Sequence, residues 1–155
     1  MIASLALVLA LCLGFAVWLA LKAARRTLAG ELVGEICEIL EAIDAHDTER
    51  ALAAFREGRS SAPALPPPPS LAFASNAVLM PVLGPHVGRL AVSFYASAAM
   101  LFDELRALSA RAPSDADNGG CAAARLKHTI ELGDETLRAL RGVMSNRRRN
   151  LIARA

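Results

Sequence analysis

From Met1 to Leu21 the chain carries no charged side chain, and Ser4 and Gly14 are the only residues outside the apolar set. A helix of about 20 residues is about 30 Å long, the thickness of a bilayer's hydrocarbon core. Trp18 lies near the end of the run, where an indole suits the interface. Lys22, Arg25 and Arg26 follow at once, and no Lys or Arg precedes them. The expectation is a transmembrane anchor over 1–22, with the N-terminus outside and the bulk of the chain in the cytoplasm. A cleaved secretory signal is the rival reading. It calls for a basic leading segment and an Ala-x-Ala-like cleavage site, and the first 30 residues contain neither. A buried core helix is the third reading, but the 134 polar-patterned residues that remain would struggle to cover such a segment.

This run supplies much of the 54% hydrophobic content, and the rest of the chain has an ordinary soluble composition. Alanine and leucine contribute 56 residues, against 18 for Val, Ile and Thr together. That bias favours helices, because sheets prefer β-branched residues. The near balance of 17 Lys and Arg with 15 Asp and Glu argues against a nucleic-acid binder, which is usually strongly basic. Cys12, Cys37 and Cys121 are odd in number and widely spaced, which fits reduced thiols rather than a disulfide framework or zinc site.

Three helical stretches are expected beyond the anchor. The first, within an acidic amphipathic unit over 23–58, places Leu32, Ile36, Ile39, Ile43, Leu52 and Phe55 at helical spacing. It continues from the anchor without a turn, and Gly30 and Gly34 are its soft points. The tract 59–70, with Pro66 to Pro69, reads as an extended spacer; docking into an aromatic groove is the functional alternative. A helical hairpin over 71–155, opening on a short capped turn, packs on 23–58. Its first long helix begins at Pro85, a good first-turn residue, and ends before Pro113. Residues 115–120 read as a loop. The last stretch, 121–152, has a heptad-type seam of Leu126, Ile130, Gly133, Leu137, Leu140 and Met144. The fold class is therefore all-α, an N-terminal transmembrane helix continuing into a small three-helix cytoplasmic bundle or helical hairpin.

The charges are segregated. Residues 31–49 carry seven acids and no Lys or Arg, and residues 138–154 carry six arginines and no acid. If the proline tract returns the chain toward the membrane, the last helix runs antiparallel to the first and the two charged halves lie side by side. Alternatively, each helix complements its own dipole.

Residues 71–84 are too apolar for an exposed loop and too interrupted for a long helix. Ser75 or Asn76 suits the cap of a short turn, and Gly84 its end. From Asn76-Ala77 through Leu83, Pro85 and Val87 to Phe94-Tyr95, the chain resembles a segment of uncharacterised small bacterial single-pass membrane proteins. There an Asn-Ala pair precedes a Leu-Leu-Pro-Pro-like turn and a helix carrying Phe-Tyr. The likeness covers about 20 residues, and Pro81, Gly84 and His86 depart from it. It implies the topology, and with it a bacterial inner membrane, and carries over no activity. Read physically, Asn76 makes a cap, Phe94 anchors one face, and Tyr95 turns its hydroxyl to the rim or to a partner. The apolar segment packs on the bundle or grazes the bilayer.

No constellation of acids, bases or nucleophiles stands out. His46, His86 and His128 lie in three different segments without metal-ligand spacing. The carboxylates at 31, 35, 38, 41 and 44 lack Glu-x-x-His partners and read as an outward acidic face. No P-loop, GxGxxG or Gly-x-Ser-x-Gly motif is present. The expectation is a non-enzyme without cofactor or metal, an interaction module that scaffolds, tethers or regulates a partner or self-associates. Alternatives are an accessory subunit of a larger membrane complex and a small-molecule sensor using Asn76, His86 and Tyr95. Lipid headgroups are expected at Lys22, Arg25, Arg26, Arg147, Arg148 and Arg149, the last three being otherwise a solvated helix end.

Overall fold

The computed structural model describes residues 2–63, 65–66, 70–110 and 116–145, with side chains from residue 9 in the first helix and from 119 in the last. All regular structure among them is helical. Helix α1 spans Ile2–Ala45 and α2 spans Thr48–Arg56; α3 covers Leu71–Asn76 and leads into a 3-10 helix, Ala77–Leu83. Helices α4 (Pro85–Ser109) and α5 (Ala116–Ser145) complete the chain.

The apolar run and the first amphipathic helix form one uninterrupted element, because nothing between Leu21 and Leu28 breaks it. Gly30 and Gly34 leave it continuous, and a Cβ at either would meet nothing within 4 Å. The break falls instead at His46-Asp47, inside the stretch expected to be continuous. Asp47 adopts φ 45° and ψ 46°, a left-handed conformation that short polar side chains tolerate. Its amide donates to Asp44 O at 2.8 Å. The Thr48 hydroxyl donates to Ile43 O at 2.7 Å, so the carbonyls exposed by the break keep partners.

Helix α5 is the shared wall of the bundle, packing on α4 on one side and on α1 and α2 on the other. Gly133 allows this. A Cβ there would sit 3.0 Å from both Leu40 methyls and from Phe94 Cε2, so the gap in the seam is filled from two neighbouring helices. At the other end a Cβ on Gly119 would meet Arg56 Cγ and Phe55 Cδ1. Residues 116–120 thus belong to α5 rather than to a loop, because Gly119 admits the close approach of α2. Pairing of 133 with 40 and of 119 with 55–56 makes α5 antiparallel to α1 and α2. The Ser97–Thr129 hydroxyl pair at 2.8 Å and the Arg125–Glu104 pair at 2.8 Å make it antiparallel to α4 as well. The core they enclose includes Leu32, Ile36, Ile39, Phe55, Phe94, Leu101, Leu105 and Leu140, each with no more than 1% exposure.

The antiparallel order does not pair the charged halves through ion pairs. Among the described residues, the acids of 31–49 make none to α5; Arg138 Nε donates to Asp134 O at 3.2 Å. Arg147, Arg148 and Arg149 lie outside the described residues, as do 67–69 of the proline tract. The rest of that tract is not wholly free, since Ala62 is buried and Leu65 packs on the core.

Below Leu28 the situation reverses. Leu28 and Ala29 are buried, whereas residues 9–25 are exposed on every face. Leu9, Leu11, Leu13, Phe15, Val17, Trp18, Leu19 and Leu21 keep 46–66% of their surface open. Among the described residues no helix is long and apolar enough to cross a membrane. The described side chains of the apolar run are residues 9–21 only.

Candidate functional site

The three residues expected to line a ligand surface do not converge on open space. Tyr95 is buried, with its hydroxyl donating to Glu35 Oε2 at 2.6 Å. Asn76 is half-buried, and its amide donates to Glu31 Oε2 at 3.1 Å and to Ala72 O at 2.9 Å. His86 is exposed in the first turn of α4 and makes none of these contacts. Two corrections follow. Tyr95 turns inward rather than to the rim. Asn76 closes the C-terminal end of α3 and ties it to α1, and neither it nor Ser75 supplies the N-terminal cap.

That cap comes from another helix. Glu35 on α1 is 7% exposed and accepts the amides of Ala72 at 3.2 Å and Phe73 at 3.0 Å as well as the Tyr95 hydroxyl. A buried carboxylate is tolerable only when such donors replace its water shell. The positive end of a helical turn adds to the effect. Glu35 is therefore not part of an outward acidic face. It lies three residues after Leu32 and four before Ile39, on the buried stripe. Phe73 stacks on Tyr95 with centroids 4.2 Å apart, and Phe94 meets Tyr95 edge-on at 5.5 Å. Burial above all, then the hydrogen bond to Glu35 and its negative charge, raises the Tyr95 phenol far above its ordinary range.

The chain from Leu71 to Leu83 is laid along α1 in the descending direction. Residues 72–73 bond at the level of Glu35, Asn76 at Glu31, and Leu83 O accepts from Arg25 Nη2 at 2.9 Å. Val82 shares a cavity with Trp18, Leu21, Lys22 and Arg25. Gly84 then reverses the chain at φ 93° and ψ 156°, a region open essentially to glycine alone. Helix α4 rises from there. Gly88 seats its first turn on the 3-10 helix, since a Cβ at that position would lie 3.1 Å from Met80 O. An apolar groove of about 580 Å³ opens at this corner between Met80, Pro81, Gly84, Pro85, Gly88 and Arg89.

Of the expected lipid contacts, Lys22 is exposed and lies 4.6 Å from the Trp18 ring centroid. Arg25 divides its role, being exposed yet bonded to Leu83 O, and Arg26 is half-buried. Among the described residues no three of His, Cys, Asp and Glu are grouped as a metal site would need. The three cysteines are free.

No protein-family model, curated protein or solved structure matches the chain.

Proposed function

We propose that the chain is a membrane-anchored helical interaction protein, scaffolding, tethering or regulating a partner without catalytic chemistry of its own. Residues 1–22 hold it in a bacterial inner membrane with the N-terminus outside and the bundle in the cytoplasm. One observation carries this reading. The stretch 9–21 is apolar on all faces, exposed on all faces, and continuous with a helix whose next turns are fully buried. A helix apolar all round needs an apolar surrounding, and the bundle does not provide one. The basic cluster directly after it favours the stated orientation. Val92 and Met100, exposed to 48% and 58% on α4, offer apolar surface to a protein partner or a second copy.

Two experiments test it. Alkaline carbonate extraction of cell membranes should leave the full-length chain in the pellet; release as a shortened soluble form would sink the anchor. Crosslinking with mass spectrometry in native membranes should yield defined neighbours or homodimers, and a strictly monomeric chain without neighbours would refute the interaction role.

A further inference from the structure

We infer that the 3-10 helix and the Gly84–Pro85 turn form an interfacial foot, a second membrane contact resting on the headgroup layer of an anionic bilayer beside the anchor. The inference rests on the anchor reading and adds a surface to it. Helix α1 serves as a ruler, at 1.5 Å per residue. Leu21 is the last residue of the apolar run, and the hydrogen bond from Arg25 brings Leu83 to a level about 6 Å beyond it. The headgroup layer is about 5–7 Å deep on each side. Val82, which lines a cavity with Trp18, Leu21 and Lys22, falls within that layer.

The surface is also of the right kind. Val78 is 90% exposed and Leu79 44% exposed, side chains that water alone would not favour at such openness. Pro81 and Pro85 are exposed alongside them. The surrounding charge has one sign. Residues 1–30 and 58–102 contain no acid, while Lys22, Arg25 and Arg89 are exposed around the corner. Helix α5 ends at the same level. Counting antiparallel from Gly133 opposite Leu40 sets Ser145 near Leu28, and its last turns hold Arg138 and Arg141 and no acid. The first acid along α1, Glu31, is already bonded to Asn76. A basic rim around exposed apolar side chains, continuous with an apolar helix, matches the interface of an anionic membrane.

The test uses the single tryptophan in the full-length chain, reconstituted in phosphatidylglycerol–phosphatidylcholine vesicles with or without brominated acyl chains. Trp18 in the wild type reports the anchor. A Trp18→Phe, Val78→Trp variant reports the foot, and a Trp18→Phe, Arg106→Trp variant reports the far end of α4. Val78 and Arg106 are exposed, so neither replacement disturbs packing. The expected result is blue-shifted, bromine-quenched emission from Val78→Trp, approaching that of Trp18, and solvent-like, unquenched emission from Arg106→Trp. Quenching of Trp18 without quenching at position 78 overturns the foot and leaves the anchor standing. A blue shift at position 78 without bromine quenching also overturns it, because protein would then cover the surface. Absence of quenching at Trp18 itself removes both readings.

Discussion

The two ends of α1 are the same helix under opposite conditions. Residues 9–21 and the stretch from Leu28 to Ile43 are both rich in Leu, Ile, Val and Ala, and both are helical throughout. In the upper stretch Leu32, Ile36 and Ile39 have no exposed surface, yet the faces between them carry Glu31, Glu38 and Glu41. In the lower stretch every apolar side chain is roughly half open and no polar face exists. Hydrophobic content therefore does not separate the two halves. Angular distribution does: a stripe is satisfied by two neighbouring helices, and a full cylinder requires a solvent that is itself apolar.

The sharpest way to break that comparison is to make the same kind of cut in both halves. Ile39→Ala should destabilise the bundle by about 2–5 kcal/mol, since it empties a fully buried site; urea titration of the detergent-solubilised chain measures it. Placing a charge in the lower half should act on a different observable. Leu13→Arg is expected to weaken membrane insertion by about 2.5–3.5 kcal/mol while leaving the urea midpoint of the bundle unchanged. A lowered midpoint would mean that the stalk is packed against protein.

Between these in location, though smaller in effect, is the tie from Glu35 to Tyr95. Tyr95→Phe should lose about 1.5–3 kcal/mol, the range for a hydrogen bond to a charged group, because Glu35 keeps its two amide donors. The same bond sets a pH dependence. The folded state holds the phenol protonated, so its ordinary pKa of about 10 applies only to the unfolded chain. Stability from this source is fully present below about pH 10 and declines as pH rises beyond it, where only the unfolded state has lost the proton. Tyr95 is the only tyrosine, so phenolate absorbance should stay silent in the folded protein until alkaline unfolding. The Phe variant should lose that alkaline decline. Smallest of all should be Leu13→Ala, within about 0.5 kcal/mol for bundle unfolding, a null effect that contrasts with the identical truncation at position 39.

Much of this architecture is legible in the residues. Pro85 marks the start of α4 because it can only begin a helix, and its stripe from Val87 to Leu108 is the face that packs on α5. The antiparallel order follows from short connections between amphipathic helices. Three features escaped the reading for physical reasons. The break at Asp47 is hidden because apolar spacing resumes at Leu52 and Phe55, and only the His-Asp-Thr sequence, with a side chain that tolerates left-handed backbone, hints at it. The early start of α5 is masked by Asn118-Gly119-Gly120, where local preference for a turn yields to packing against Phe55 and Arg56. The buried carboxylate was obscured by its acidic neighbours. Its register gives it away, because position 35 continues the spacing of Leu32 and Ile39, whereas Glu31, Glu38 and Glu41 fall off the stripe. The partners that make such burial affordable, the amides of residues 72 and 73, are remote in sequence and no local pattern announces them.

The absence of a linker between residues 21 and 28 has a mechanical consequence. An unbroken helix has a fixed phase as well as a fixed length. Each residue added to or deleted from that interval would turn the bundle by about 100° around the helix axis and shift it by about 1.5 Å. The face that meets the lipid, and the face left for a partner, are thus set by residue count. Insertion of one alanine should redirect both; insertion of seven, almost two full turns, should nearly restore the azimuth while lifting the bundle away from the surface by about 10 Å. Any partner that reads the bundle from a defined side is reading the helical register of its anchor.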